Sequence, residues 1–228
     1  MNTQIERTLS LITDEQKEKF AKYREILLEY NEKYNLTTIL EEEEMLYKHF
    51  LDSGVGEFLF PEGAFVAEIG SGAGFPSIPL KILRDDLKFS LFESVGKKCE
   101  FLRAVVDKLG LQDVNIYTMR AEDAARKEEF REKFEVVTAR AVARMNTLCE
   151  YCMPFVKKGG LFIAYKGGDE EITEAKNAVK VLGGNIKKVY KYELPKGYGE
   201  RCLAVVEKVA KTPEKYPRGQ GKERKNPL

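Results

Sequence analysis

The chain has 228 residues and a formal net charge of only +1, because 38 lysines and arginines are balanced by 37 aspartates and glutamates. Hydrophobic residues make up 43% of the sequence, which is too apolar for a disordered protein and typical of a globular one. The sequence shows neither the apolar core of a signal peptide near its start nor an apolar run of membrane-spanning length, so we expect a cytoplasmic protein without a membrane partner.

Residues 1–62 are predicted to form a helical extension. Apolar and aromatic residues recur at helical spacing over 13–34, and Thr13 or Asp14 can cap the start of that helix. A second short helix is predicted over 41–53, where four glutamates suit the positive end of the helix dipole. This helix carries His49, the single histidine, and Asp52 three residues later, so both side chains can lie on one helix face.

Residues 63–210 are predicted to form one α/β domain. Seven runs rich in β-branched and aromatic residues predict strands at 64–70, 88–94, 114–119, 134–140, 161–167, 186–194 and 202–209. Helical patterns separate them at 76–84, 97–109, 121–129, 143–153 and 169–182. This alternation predicts a seven-stranded, mostly parallel sheet with helices on both faces, in which the last two strands can pair as an antiparallel hairpin.

Residues 211–228 are predicted to form a basic tail. The stretch has six lysines and arginines, two glutamates and three prolines, and it lacks a core-forming pattern. Its first part, TPEKYPR (212–218), is apolar enough that we expect it to pack onto the α/β domain.

Three glycines follow the first predicted strand in the stretch EIGSGAGFP, at the sheet edge where open α/β sheets bind ligands. Gly70, Gly72 and Gly74 let backbone N–H groups approach a ligand closely, and Pro76 suits the first turn of the helix that follows. The spacing matches neither the dinucleotide fingerprint nor the Walker motif. The loop therefore predicts the S-adenosylmethionine site of a Rossmann-like class I methyltransferase.

The next two strand ends carry residues that suit the remainder of this cofactor. Glu93 ends the second strand, where a carboxylate can accept hydrogen bonds from both ribose hydroxyls. An ion pair with Lys97 or Lys98 is the alternative interpretation. After the third strand, Glu122 and neighbouring N–H groups can recognise the adenine ring.

The four cysteines are predicted to be reduced residues of the core. Cys149 and Cys152 form a C-x-x-C pair, but they fall on a predicted helix and the sequence has no second pair to complete a zinc site. Packing on a helix face is therefore favoured over redox or metal chemistry, and no metal site is predicted.

Several motifs in one order are similar to the RsmG family, also called GidB, from about residue 31 to the end. They are NLT (35–37), HFLDS (49–53), EIGSGAGFPSIPL (68–80), ESVGKKCEFL (93–102), RAED (120–123), TARAVA (138–143), YKG (165–167) and TPEKYPR (212–218). The resemblance implies a bacterial enzyme that uses S-adenosylmethionine to methylate N7 of guanosine 527 in the 530 loop of 16S rRNA. It also implies that the residues in contact with the cofactor are Gly70, Phe75, Ala121, Glu122 and Arg140.

Methylation at guanine N7 requires little acid–base chemistry, because this nitrogen has a free lone pair and no proton to lose. Arg140 ends the fourth strand, where its guanidinium can hold the carboxylate of the cofactor or an RNA phosphate. Lys166, after the fifth strand, is a weaker candidate for a phosphate or guanine O6. His49 and Asp52 are interpreted as a pair that braces the pocket or positions RNA, with proton transfer as the alternative.

RNA binding is assigned to basic residues of the helix after the second strand, of the fourth strand end and of the tail. They are Lys97, Lys98, Arg103, Arg144, Lys215, Arg218, Lys222, Arg224 and Lys225. Tyr216 can either stack on a base or pack onto the domain. We expect TPEKYPR (212–218) to lie near the cofactor pocket and the residues after it to become ordered only on RNA. The expected partner is 16S rRNA or the small ribosomal subunit, bound by a monomer. The alternatives are a methyltransferase for another RNA or protein acceptor and a non-catalytic assembly factor that binds the cofactor.

Overall fold

A single seven-stranded sheet organises the computed structural model, which describes residues 12–228. The strands are β1 (Phe65–Ile69), β2 (Lys88–Glu93), β3 (Val114–Thr118), β4 (Phe134–Arg140), β5 (Val156–Lys166), β6 (Gly184–Glu193) and β7 (Glu200–Lys208). Their order is β3-β2-β1-β4-β5-β7-β6. Neighbours among β1–β5 pair in parallel, whereas β7 is antiparallel to both β5 and β6. The predicted fold class, including the terminal hairpin, is confirmed.

Helices cover both faces of this sheet. They are α1 (Asp14–Tyr34), α2 (Glu42–Met45), a π-helical turn (Leu46–Leu51), α3 (Asp52–Gly54), α4 (Ser77–Leu83), α5 (Gly96–Leu109), α6 (Ala121–Ala124), α7 (Met145–Cys152), α8 (Glu170–Glu174), α9 (Lys176–Val181) and α10 (Lys222–Lys225). Within residues 12–228, no helix has both the length and the apolar character needed to cross a membrane.

Two predicted helices are shorter in the structure than in the sequence pattern. The helix predicted over 121–129 ends at Ala124, because the chain then turns to bring Phe130 edge-on against the ring of Phe92, with their centroids 5.0 Å apart. The helix predicted over 169–182 is divided at Ala175 into α8 and α9. In both cases the apolar residues still reach the core.

The hydrophobic core has two parts, one on each face of the sheet. The α1, α4 and α5 helices pack on one face, and α7, α8 and α9 pack on the other. Neighbouring residues of a strand therefore contribute to different clusters, as Val66 and Ala67 of β1 do. Cys149 and Cys152 are free thiols inside the second cluster, and burial raises the pKa of Cys149 to about 12. Both cysteines therefore pack on the buried face of α7.

The α1 helix connects the N-terminal segment to the glycine loop. Thr13 caps it in a reciprocal pair with Gln16, whose backbone N–H lies 3.2 Å from the Thr13 hydroxyl oxygen. Tyr23 on its buried face donates its hydroxyl hydrogen to the carbonyl of Ala73 in the glycine loop. The aromatic face of α1 thus packs against the segment predicted to bind the cofactor.

Polar contacts hold the C-terminal tail against the second face. The guanidinium of Arg131 donates to the carbonyls of Thr212 and Tyr216, each over 3.0 Å. Arg218 forms a double hydrogen bond with the buried carboxylate of Glu150, with Nη2–Oε2 and Nε–Oε1 distances of 2.7 and 3.0 Å. The tail therefore packs through its own polar groups, although the division of the chain at residues 62 and 210 stays a prediction.

The expectation that the last residues become ordered only on RNA differs from the structure. The α10 helix packs against α7, where the Thr147 hydroxyl donates to the carbonyl of Glu223 over 2.9 Å. The side chain of Glu223 is itself buried. These contacts order the segment within the protein itself.

We expect Arg218→Ala to lower the free energy of unfolding by about 2 kcal/mol, because it removes charge-assisted hydrogen bonds from a buried carboxylate. The loss is moderated by the backbone N–H of Arg218, which still lies 2.7 Å from Glu150 Oε1. Urea unfolding measures the change, and Lys215→Ala, on the exposed side of the same tail, is the matched control. Equal stability of the two variants would contradict the anchoring role of Arg218.

Candidate active site

The glycine loop after β1 has backbone conformations and close contacts that side chains would disturb. Gly70, Gly72 and Gly74 have positive φ angles of 69°, 55° and 85°. A Cβ atom at Gly74 would lie 2.5 Å from Cγ1 of Ile78, and one at Gly70 would lie 2.7 Å from Cγ2 of Val142. Two of the three glycines are therefore needed for close packing as well as for backbone geometry.

One cavity, of about 220 Å³, opens at the carboxyl ends of β1, β2 and β3, and we call it the β1–β3 cavity. Among its lining residues are the predicted cofactor residues Gly70, Glu93, Ala121 and Glu122. Gly72, Gly74 and Phe75 do not line this cavity in the structure, although they belong to the adjoining loop. Three sequence-distant loops therefore meet around one space, as the parallel sheet predicts.

Glu93 is held by main-chain groups at the edge of the β1–β3 cavity. Its carboxylate accepts hydrogen bonds from the backbone N–H groups of Gly72 and Val95, over 3.0 and 2.8 Å. Lys97 instead lies 5.6 Å from the centre of the Tyr34 ring. Among residues 12–228 no ion pair joins Glu93 to a lysine, so the structure favours a carboxylate that shapes the glycine loop over the alternative interpretation.

A second cavity, of about 580 Å³, lies between the carboxyl ends of β4 and β5 and the N-terminal helices, and we call it the β4–β5 cavity. His49, Asp52, Arg140 and Lys166, the four predicted catalytic residues, all line it. Ala141 lines this cavity, whereas the next residue, Val142, lines the β1–β3 cavity. The two spaces therefore adjoin across a single segment of backbone after β4.

Arg140 is the centre of the polar network in the β4–β5 cavity. Its Nη1 donates to Asp52 Oδ2 over 3.0 Å and to the carbonyl of Lys48 over 3.1 Å, and its Nη2 lies 2.9 Å from His49 Nδ1. The guanidinium also lies 4.9 Å from the centre of the Phe75 ring. Two of its five N–H donors remain for a ligand, since three are used in these contacts.

His49 acts in the structure as a neutral acceptor for Arg140. A guanidinium can only donate, so Nδ1 of His49 accepts, and its Nε2–H donates to the hydroxyl of Thr37 over 2.9 Å. The imidazole also stacks on Phe75, with ring centroids 4.3 Å apart. Burial, and next the charge of Arg140, lower the pKa of His49 to about 3. This geometry supports the bracing interpretation.

Asp52 and Lys166 support the two walls of the β4–β5 cavity. Asp52 Oδ1 accepts from the hydroxyl of Tyr192 over 2.7 Å, while its Oδ2 holds Arg140. Lys166 donates to Glu171 Oε2 over 2.7 Å and to the carbonyl of Ala143 over 2.8 Å. Lys166, the last residue of β5, thereby holds the segment after β4 in place, a contact that its position in the sequence did not reveal.

The predicted RNA-binding residues are spread over two surfaces. Lys97 is exposed and Lys98 is half-buried on α5, while Arg103 donates to the Thr118 hydroxyl over 3.1 Å and Arg144 pairs with Glu174 over 2.5 Å. The tail contributes three lysines to the predicted RNA-binding residues, namely Lys215, Lys222 and Lys225. The side-chain nitrogen of Lys215 lies 5.2 Å from the centre of the Tyr216 ring.

Three tail residues in this set have internal partners in the structure. The Tyr216 side chain is buried in the second core cluster, Arg218 holds Glu150, and Arg224 Nε donates to the Tyr151 hydroxyl over 3.1 Å. Of the two alternatives for Tyr216, the structure shows packing onto the domain. Tyr216 and Arg218 are therefore engaged within the protein, whereas Arg224 remains exposed at the surface.

Glu68, at the end of β1, is a buried acid whose ionisation the sequence did not reveal. Its carboxyl group accepts a hydrogen bond from the hydroxyl of Ser77 at the start of α4. Burial raises the pKa of Glu68 from its ordinary 4.5 to about 8. An acid within an apolar strand was the available signal, but only the packing shows that burial outweighs the opposing effect of the Arg140 charge on this pKa.

We expect stability to fall as pH rises from about 4.5 to about 8, because the unfolded chain releases the proton of Glu68 over this range and the folded protein retains it. The stabilisation is complete below 4.5 and is lost by about 8. Glu68→Gln should weaken this fall by on the order of 1 kcal/mol per pH unit. Thermal unfolding between pH 5 and 8 tests it, with exposed Glu128→Gln as control; parallel pH profiles for wild type and Glu68→Gln would contradict it.

Comparison with known proteins gives consistent results at the level of family and fold. A family model described as rRNA small subunit methyltransferase G matches residues 16–196. Proteins named Ribosomal RNA small subunit methyltransferase G are similar over nearly the whole chain. That of Lactobacillus acidophilus is 48% identical over 223 residues, covering 95% of this chain and 93% of that protein. That of Staphylococcus aureus is 46% identical over 221 residues, covering 95% and 92%.

Solved structures with low sequence identity share the fold. The O-methyltransferase from Bacillus cereus in complex with SAH has a TM-score of 0.58 at 18% identity, covering 82% of this chain and 91% of that one. TYW2 from M. jannaschii in complex with AdoMet has a TM-score of 0.58 at 15% identity, covering 75% and 80%. These similarities place the sheet and its helices in a known class of α/β architecture.

Proposed function

The chain belongs to the rRNA small subunit methyltransferase G family, and from this premise we propose that it methylates N7 of guanosine 527 in 16S rRNA with S-adenosylmethionine as the methyl donor. The observation that carries this proposal is the contact of two cavities across Ala141 and Val142, with four of the predicted cofactor residues around one and Arg140 in the other. Methyl transfer needs this kind of adjacency, because the donor carbon and the acceptor atom have to meet in line.

The residues around the β1–β3 cavity fit S-adenosylmethionine. Gly70 lines the cavity without a side chain, and Glu93 and Glu122 offer acceptor oxygens at the carboxyl ends of two neighbouring parallel strands. When bound, the cofactor supplies an activated methyl group on a sulfonium. The role of the chain is then to bind, to orient and to exclude water.

The β4–β5 cavity suits an acceptor that needs no proton removed. His49 is neutral with a pKa of about 3, and its Nδ1 is already occupied by Arg140, so it is poorly placed as a general base. Guanine N7 has a free lone pair and makes no such demand. The remaining N–H donors of Arg140 can hold a phosphate or the carboxylate of the cofactor. These features support N7 of a guanosine as the acceptor.

The proposed substrate implies both the compartment in which the enzyme acts and the partner that it binds. A guanosine of 16S rRNA is reached in the cytoplasm on the small ribosomal subunit or its precursor. We propose that the protein acts there as a monomer, with exposed basic residues such as Lys97 on α5 and Lys215 on the tail contacting phosphates.

Transfer of a tritiated methyl group to small subunits from an unmodified strain tests the proposed function. Borohydride–aniline cleavage, which cuts RNA at N7-methylguanosine, then maps the product. A single cut in the 530 loop is the expected result. Transfer to another site would favour a different acceptor, and cofactor binding without transfer would favour a non-catalytic assembly factor.

A further inference from the structure

The tail contributes an unusual carboxylate, that of Glu223 in α10. Only 1% of this residue is exposed, and its Oε1 accepts a hydrogen bond from the hydroxyl of Tyr151 over 2.8 Å. The other oxygen, Oε2, is buried and has no hydrogen-bond partner among residues 12–228. An unsatisfied buried acceptor is costly, so its position calls for a donor that the described chain does not supply.

Glu223 lines the β1–β3 cavity together with Gly221 and Arg224 of the same tail. The tail meets the cavity on the side of the loop after β3, since a Cβ atom at Gly219 would lie 3.9 Å from Cγ of Glu122. Glu93, by contrast, lies at the β2 end. The part of a bound ligand near Glu223 is therefore the part that the loop after β3 contacts.

Neighbouring groups hold the Glu223 carboxylate in one orientation. Arg224 Nε donates to the Tyr151 hydroxyl oxygen over 3.1 Å, so the hydroxyl hydrogen of Tyr151 is directed to Glu223 Oε1. The Thr147 hydroxyl fixes the backbone of the same residue. With Oε1 and the main chain held, Oε2 is the oxygen that remains to accept a bond from a ligand.

We propose that Glu223 Oε2 accepts a hydrogen bond from the exocyclic amino group of the cofactor adenine, so that the C-terminal tail selects adenosine. The inference rests on the proposed function, because the ligand is the methyl donor. A carboxylate only accepts and an aromatic amine only donates, so the two groups are complementary. Hypoxanthine, which carries a carbonyl oxygen in place of the amine, would face Oε2 with a second acceptor.

The full-length protein allows a direct test by calorimetric titration with S-adenosylhomocysteine and with S-inosylhomocysteine, which differ at this amine. The wild type is expected to bind the adenosyl compound more tightly by at least roughly tenfold, as for a hydrogen bond to a charged group. Glu223→Gln keeps an acceptor for Tyr151 but replaces Oε2 by a donor, and should reduce this preference about tenfold. Exposed Glu214→Gln, on the same tail, is the matched control and should keep the wild-type preference.

The outcomes separate this inference from the proposed function. If the wild type prefers the adenosyl compound and Glu223→Gln retains the same preference, the assignment of Glu223 is overturned and the cofactor site stands. An equal loss of affinity for both compounds in Glu223→Gln overturns it as well. If the wild type binds neither compound, the proposed function itself fails. Glu223→Ala, which removes both oxygens, gives the same comparison if the glutamine variant does not fold.

Discussion

Replacing Arg140 with alanine is expected to reduce methyl transfer at least about 100-fold, because displaced groups around a reacting centre have effects of this size. The same change should lower the free energy of unfolding by about 3 kcal/mol, since it leaves the carboxylate of Asp52 buried without its main cation. His49 would also lose its donor. The methyl-transfer assay and urea unfolding measure the two effects separately.

Two further variants separate geometry from charge at this position. Arg140→Lys retains the positive charge but cannot contact Asp52, the Lys48 carbonyl and His49 from one planar fork, so its activity should stay close to that of the alanine variant. Arg144→Ala, four residues along, removes only an exposed pair with Glu174 and should change stability by less than about 1 kcal/mol. Near-normal activity of Arg140→Lys would show that charge alone is sufficient.

Replacing Gly70 with alanine is expected to weaken the binding of S-adenosylhomocysteine by at least about tenfold, through the contact with Val142. The new Cβ would lie 2.7 Å from Cγ2 of Val142, with the other methyl carbon and Cβ of that residue 3.4 and 3.6 Å away. Rotation of the valine side chain therefore brings little relief, and Val142 has to move within the wall of the β1–β3 cavity. Calorimetric titration measures the affinity.

Gly110→Ala is the matched control for this effect. Gly110 also has a positive φ, 63°, but an added Cβ there would meet no atom within 4 Å. Both variants should lose about 1 kcal/mol of stability from backbone strain, and only Gly70→Ala should lose affinity for the ligand. Equal affinity of the two variants would remove the steric explanation.

Local patterns in the sequence were sufficient for the architecture and for part of the site. The β4 strand was predicted at its observed bounds. The three glycines after β1 indicated a ligand loop, because their spacing and the backbone conformations open to glycine can be read from the sequence itself. The parallel order of strands then implied that Glu93 and Glu122 would meet this loop at one edge. The lengths of α6 and α8 were less well predicted, because burial of Phe130 and the turn at Ala175 override the helical pattern.

Which partner each site residue takes was decided only by the tertiary structure. Arg140 contacts His49 and Asp52 across about 90 positions of sequence, and Tyr151 meets Glu223 across 72. The sequence alone identified the residue types that suit a methyltransferase site and the edge of the sheet where they belong. It could not show that His49 is neutral or that one Glu223 oxygen is unpaired, since both properties depend on burial and on neighbours that only the folded chain brings together.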